Sequence, residues 1–351
     1  MTRSPPASDP DRDIDVLVIG EINPDIVIAD PDPVPQFGEV ERIVRSVVMT
    51  VGSSSAIFAC GAARLGLRVG FVGVVGDDAF GRFMLDAMAG RGVDVAACTV
   101  DPTRPTGATV ILSSGRDRAM LTAMGTIGAL DVDRVPDGLL ARARHLHLSC
   151  FYLQETSRER LPRFFAAARA RGLTTSFDTN WDPTERWDGG VHAMLQAADV
   201  FFPNEAEATR IARIADPEKA ARALASGGGA RGGAGAGAAE AGAGGGPPDR
   251  GPIVVVKRGA DGALASRAGE AVVRVPAMPV DPIDTTGAGD SFDAGFLRSW
   301  LDGASIAASL EFAAACGAIS TRSVGGVDGQ PTFAEATAAV EAWRAIRGRS
   351  Q

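Results

Sequence analysis

The sequence predicts an α/β fold with a mostly parallel central sheet, helices on both of its faces, and a small separate β sheet. Three observations carry this. After residue 122, apolar runs alternate with helical patterns, an order that packs as a parallel sheet covered on both sides. Runs such as Ile14–Ile19 and Ile253–Lys257 are apolar almost throughout, as strands buried on both faces are. The runs Ala108–Ser113 and Arg118–Thr122 flank Ser114-Gly115-Arg116-Asp117 with no helix between them, a hairpin signal that assigns them to a second sheet.

Taken in order, Ile14–Ile19 ends at Gly20 as a buried strand, and Ile26–Ala29 stays extended before the Pro-rich stretch from Pro31 to Pro35. Val40–Thr50 is rich in β-branched residues and reads as one or two strands. Ser53–Leu65 reads as a helix stopped by Gly66, Val69–Val75 as a strand, and Phe80–Ala89 as a helix closed by Gly90. Beyond the hairpin, strands are predicted at His145–Ser149, Thr174–Asp178, Val200–Pro203 and Ile253–Lys257. Helices are predicted at Arg158–Arg171, His192–Ala197, Ala206–Ile214, Ser291–Trp300, Ile306–Ser320 and Phe333–Ile346.

With 351 residues, 45% hydrophobic and 22% charged, the chain can bury one large core, read here as a single domain over 14–347. Residues 1–13 are rich in Pro, Ser and Asp, lack an apolar segment, and read as a disordered tail rather than a signal peptide. No apolar run approaches the ~20 residues of a membrane span, so no membrane partner is expected. A net charge of −8 argues against a nucleic-acid partner, which would call for a basic face. It leaves phosphate chemistry open, because backbone N–H groups can hold an anion. Cys60, Cys98, Cys150 and Cys316 form no CxxC pair and read as buried thiols in a reducing, cytoplasmic setting. Residues 226–248 are nearly all Gly and Ala and read as a flexible insertion. The match to GxGxxG at Gly227, Gly229 and Gly232 is expected by chance in such a segment, and no strand leads into it.

The sharpest chemical feature is Asp284-Thr285-Thr286-Gly287-Ala288-Gly289-Asp290-Ser291-Phe292. A small-residue turn at a helix start presents N–H groups, backed by the helix dipole, to an anion. An aspartate there would repel that anion, but it suits a base taking a proton from an attacking hydroxyl; as a simple helix cap it would also be ordinary. There is no G-x-x-x-x-G-K-[ST] phosphate loop.

This stretch, continued through Asp293-Ala294-Gly295-Phe296, resembles the C-terminal signature of the ribokinase-like, or PfkB, carbohydrate kinases. Further similarities follow in the same chain order: Gly20-Glu21-Ile22-Asn23-Pro24-Asp25, Gly52-Ser53-Ser54-Ser55-Ala56, Gly76-Asp77-Asp78, Pro203-Asn204-Glu205-Ala206-Glu207 and Gly259-Ala260-Asp261-Gly262. The resemblance implies a ribokinase-like three-layer sandwich with a β lid from about 22–50 and 106–124. It implies transfer of the ATP γ-phosphoryl group to a hydroxyl of a sugar or sugar acid, with Mg2+ and a monovalent cation such as K+. By the same resemblance Asp290 is the base and Gly287, Ala288 and Gly289 the anion hole. Asn23, Asp25, Gly52, Ser53 and Ser54 serve the acceptor. Asn204, Glu207, Gly259 and Gly262 serve ATP, with Glu207 reaching Mg2+ through water and Asp284 and Thr286 holding the monovalent cation. A homodimer through the lid is a further family expectation. A nucleoside kinase of the same fold and a non-catalytic sugar-binding relative are the rival readings.

Three departures bear on the substrate. Gly52-Ser53 stands where the family has Gly-Gly, and Ile57 where it often carries a sugar-binding Asn. Lys257, where relatives often have Thr or Ser, could reach a phosphate or face solvent. Arg118 could grip an acceptor carboxylate or phosphate, or be a solvated lid residue. Asp178-Thr179-Asn180-Trp181 follows a strand end, where ligands bind in open sheets. His145 and His147 share a strand face and read as packing residues, a metal site being the alternative.

Overall fold

The computed structural model describes residues 12–114, 118–227 and 251–348. In chain order the first half comprises β1 (Ile14–Ile19), β2 (Pro24–Ala29), β3 (Ser46–Val51), α1 (Ser54–Arg64), β4 (Val69–Val72), β5 (Val74–Gly76), α2 (Ala79–Ala89), β6 (Val93–Asp94), β7 (Thr99–Asp101), β8 (Ala108–Ser113) and β9 (Arg118–Ala123). There follow α3 (Asp137–Arg142), β10 (Ala143–Leu148), α4 (Leu161–Ala170), β11 (Thr174–Phe177), α5 (Val191–Ala197), β12 (Val200–Phe201), α6 (Glu205–Ala212), α7 (Pro217–Ala225), β13 (Ile253–Lys257), β14 (Ala263–Ser266), β15 (Val273–Val275), α8 (Ala288–Leu301), α9 (Ile306–Ser320) and α10 (Phe333–Gly348).

The central sheet runs β15-β14-β13-β12-β11-β10-β1-β4-β6, parallel from β13 through β6 and antiparallel at β14 and β15. Alternation along its strands divides the interior into two cores. Val16 and Val18 of β1, with Val255 of β13, face α1, α2, α8, α9 and α10. Leu17 and Ile19, with Val254, face α4 to α7. That is the predicted three-layer arrangement. Strands β3-β2-β8-β9 form the separate sheet, with β8 and β9 antiparallel from Ala108↔Ala123 to Ser113↔Arg118.

Several boundaries differ from expectation, each for a local reason. The predicted strand Val69–Val75 breaks at Gly73, where a Cβ would lie 2.7 Å from the Gly20 carbonyl. Its first half joins the central sheet, and its second half pairs with β7. Of Val40–Thr50 only the end is strand. The antiparallel β14 and β15 and the helix α7 were not foreseen, although Asp216 caps α7 and Pro217 opens it. The proposed tail, 1–13, lies outside the described residues except for its last two. Arg12 donates to the carbonyls of Ala143 (2.7 Å) and Arg171 (2.8 Å), and Asp13 pairs with Arg142 at 2.7 Å. Of the insertion, only Ser226 and Gly227 are described.

What the fold does for function is to bring strand ends together. Glu21 and Asn23 follow β1, Asp178 follows β11, Asn204 follows β12 and Lys257 ends β13, all at the C-terminal edge of the parallel strands.

Candidate active site

The anion turn begins earlier than the sequence suggested. Gly287, at φ 70, is the N-cap of α8, so Ala288, Gly289 and Asp290 are its first turn rather than a loop before it. First-turn N–H groups have no partner within their own helix and carry its positive dipole end. Gly287 is obligatory on two counts: the left-handed backbone, and a Cβ that would fall 2.8 Å from Ile57 Cγ2 and from Gly326 Cα. Ile57 is accordingly a buried wedge beneath the turn.

Asp290 is buried. Burial pushes its carboxyl well above the usual range, and Asp178 and Glu21 add to this. Lys257 and a hydrogen bond with Ser54 work the other way. Lys257 is turned away from solvent: its Nζ donates to Asp178 Oδ2 (2.6 Å) and Asp293 Oδ2 (2.9 Å), with the side chain 13% exposed. A Cβ on Gly289 would stand 3.5 Å from that nitrogen, so the ammonium lies directly under the anion turn. Burial would strip the charge from Lys257, but Asp178 and Asp293 more than compensate and hold it protonated. Asp178 also accepts from the Asn180 N–H at 3.0 Å, and Asn180 Nδ2 donates to Ser54 Oγ. One polar seam thus runs from β13 to the start of α1.

The predicted acceptor residues form a second group. Asp25 is buried, and its carboxylate occupies the space a Cβ on Gly52 would fill, 2.2 Å from Oδ1. Burial raises its pKa to about 7, with Arg118 lowering and Asp284 raising it. Asn23 Nδ2 lies 3.5 Å from Thr109 Oγ1. Ser53, in place of the second glycine, keeps the left-handed φ of 66 and caps α1 by accepting from Ala56 N–H. Its hydroxyl donates to the Glu21 carbonyl at 2.6 Å, which ties the hinge down where a glycine could not. Arg118 reaches from β9 to donate to Thr286 Oγ1 at 2.9 Å, bringing the small sheet onto the anion turn.

Asp284 sits beside that contact. It accepts from Thr286 N (2.9 Å), Thr286 Oγ1 (2.8 Å) and Gly325 N (2.9 Å). Burial alone would raise its pKa, but these bonds outweigh it and the net shift is downward, so the group is anionic. Asn204 and Glu207 form a capping box at the start of α6: Asn204 N donates to Glu207 Oε2 (2.9 Å), and Glu207 N to Asn204 Oδ1 (2.9 Å). Burial, then Asp178, raise the Glu207 carboxyl against the pull of Lys257. Gly259 and Gly262 turn the chain from β13 into β14. A Cβ on Gly262 would lie 2.1 Å from the Val275 carbonyl, so that residue answers first to hairpin closure.

Three residues of the cluster carried no role in the sequence reading. Glu21 accepts from Ser55 Oγ (2.7 Å), Ser53 Oγ (3.1 Å) and Gln154 Nε2 (3.2 Å). Its position just past a buried strand was the available signal. Asp178 sat in a stretch that had been noticed, but its partner had not. Asp293 follows Asp290 by one helical turn, a spacing that puts both on one face of α8. His145 and His147 form a buried ladder with Thr174, Ser176 and Ser149, every link 2.7–2.9 Å. Burial holds both imidazoles neutral, His145 at about 3. Among the described residues no group of three or more His, Cys, Asp or Glu is arranged to hold a metal.

The family signature of pfkB family carbohydrate kinases matches residues 13–332, and the chain belongs to that family. It is an enzyme, an ATP-dependent kinase that phosphorylates a hydroxyl of a sugar or sugar acid. The chain is similar to the 5-dehydro-2-deoxygluconokinase of Bacillus velezensis, with 27% identity over 97% of this chain and 98% of the relative. It is also similar to the ATP-dependent ribose-1-phosphate kinase of Halopiger xanaduensis, with 29% identity over 87% and 91% of the two chains. Among solved structures, a fructokinase variant from Vibrio cholerae O395 bound to fructose, ADP and potassium ion superposes with a TM-score of 0.74. It is 25% identical, and 95% of this chain and 100% of that one are covered.

Proposed function

We propose that the acceptor is an anionic sugar, a sugar acid or a sugar phosphate, and that Asp290 takes the proton from its attacking hydroxyl. The observations that carry this are Asp290 in the first turn of α8, hydrogen-bonded to Ser54 and under the influence of Lys257, and Arg118, whose charge acts on Asp25 and which donates to Thr286. An arginine tied to Thr286, with its charge acting on Asp25, suits bidentate binding of a carboxylate or phosphate. The two curated relatives bear on this: one is named for a sugar acid, the other for a sugar phosphate.

ATP, carried with Mg2+, supplies the phosphoryl group and its neutralising cation. The chain does the rest. Asp25 and Asn23 orient the acceptor, Asp290 accepts the proton at its carboxylate, and the N–H groups of Ala288 and Gly289 face the charge developing on the transferring group. Glu207 has its oxygens engaged by Asn204, which fits contact with Mg2+ through water rather than direct ligation. Asp284, anionic beside Thr286, fits a monovalent-cation position, and Gly259 and Gly262 with Lys257 lie at the nucleotide side. The small sheet acts as a lid. Its exposed apolar residues Val47, Val48, Met49, Met120 and Leu121 support a homodimer built through it. No helix of the described residues is long and apolar enough to cross a membrane, and the four free cysteines fit a cytoplasmic enzyme. An ATP-consumption screen over neutral hexoses and pentoses, keto-deoxy sugar acids, sugar phosphates and nucleosides, with and without K+, tests the reading. Sugar acids or sugar phosphates should be turned over best, and preferred turnover of a neutral sugar or a nucleoside would refute it.

A further inference from the structure

We infer that Lys257 is the resident counter-cation of the site: its ammonium, held between Asp178 and Asp293 beneath Gly289, favours the ionised form of Asp290 that can accept a proton. This rests on the reading of Asp290 as the base. The geometry is specific. Asp290 is faced by Asp178 from the end of β11, Glu21 from the end of β1, Asp293 from its own helix, and Ser54 and Cys150 as uncharged neighbours. Among these groups Lys257, at the end of β13, is the one cation. It is also faced by Glu207 and by the neutral His147.

Carboxylates gathered in a poorly solvated site cannot all ionise; they share protons unless a cation offsets them. One ammonium 2.6 Å and 2.9 Å from two of them is that offset. Two of its three N–H donors are taken by these contacts, which ties the ammonium to the carboxylates. Asp293 Oδ1 is buried with no hydrogen-bond partner among the described residues, so Lys257 is the contact that favours its ionised form. Lys257 is therefore a positioning residue for charge, acting through Asp290 without touching the acceptor.

The test is the pH dependence of kcat, from about pH 5.5 to 9.5, for the wild type, Lys257→Met, Asp293→Asn and Asp290→Asn, each with saturating ATP and acceptor. For Lys257→Met the acid limb should move up by about one pH unit or more, a tenfold or greater loss near neutrality that is recovered at alkaline pH. For Asp293→Asn, which keeps the lysine and removes one anion, the limb should move down. An unmoved limb in Lys257→Met together with a raised KM for ATP would make the lysine a phosphate ligand and overturn the inference. So would an unmoved limb in Asp293→Asn, which decides the matter if Lys257→Met does not fold. Appreciable activity in Asp290→Asn would instead sink the base assignment itself, a separate failure.

Discussion

Asp25 and Asp290 are both buried carboxylates, and their surroundings give them different jobs. Asp25, with a pKa of about 7, changes charge in the working pH range. As an acceptor of hydroxyl hydrogen bonds it serves best when ionised, so the KM for the acceptor should rise several-fold as pH falls from 8 to 6. Asp25→Asn should flatten that slope in the same steady-state measurement; a slope that persisted would assign the titration elsewhere. The sign for stability is opposite. A carboxyl whose folded pKa lies above its unfolded value favours folding at low pH, and that contribution is lost as pH rises through about 7. Asp25→Asn should therefore melt at least as high as the wild type at pH 8. Arg118 distinguishes acceptors. Arg118→Ala should lower kcat/KM for an anionic acceptor by about 10- to 100-fold, the loss of a charge-assisted pair, and change a neutral sugar far less. Equal losses for both would make Arg118 a structural link to Thr286.

At the scale of elements, the start of α8 depends on Gly287. Gly287→Ala forces a Cβ into Ile57 and Gly326 at a left-handed backbone, and should destabilise by about 1–3 kcal/mol in a denaturant titration while moving the anion turn. Ile57→Asn, which restores the residue type common at this position, should also destabilise, because the side chain fills space under the turn. Much of this level could be read from the residues. Strands buried on both faces, such as β1 and β13, leave a continuous apolar run, and α1 and α2 end where Gly66 and Gly90 stand. The first turn of α8 was placed too late because Gly287-Ala288-Gly289 has poor helix propensity, which the N-cap at Gly287 and packing against α9 override. The break at Gly73 was illegible because it answers to the Gly20 carbonyl, more than fifty residues away in sequence. The site was legible where it rested on local motifs, as at Asn204–Glu207. It was not where distant strand ends meet: nothing near Lys257 in sequence announces Asp178 and Asp293.

For the molecule as a whole, the layout separates support from chemistry. Two cores hold the nine-stranded sheet, and the carboxylates with Lys257 gather at one edge of it, beneath the small sheet. That sheet exposes apolar residues toward solvent, Leu121 at 64% and Val47 at 60%. If it is a dimer surface, light scattering should report a two-chain mass, and Leu121→Asp should shift it to one chain and raise the acceptor KM by loosening the lid. A monomeric wild type would remove the dimer. The central claim is that a kinase of anionic sugars uses Asp290 to take the acceptor's proton, and single-turnover phosphoryl transfer in Asp290→Asn tests it most directly. The account predicts a loss of about 10²–10⁴-fold in rate with ATP binding and melting temperature retained. A rate within tenfold of the wild type would contradict it.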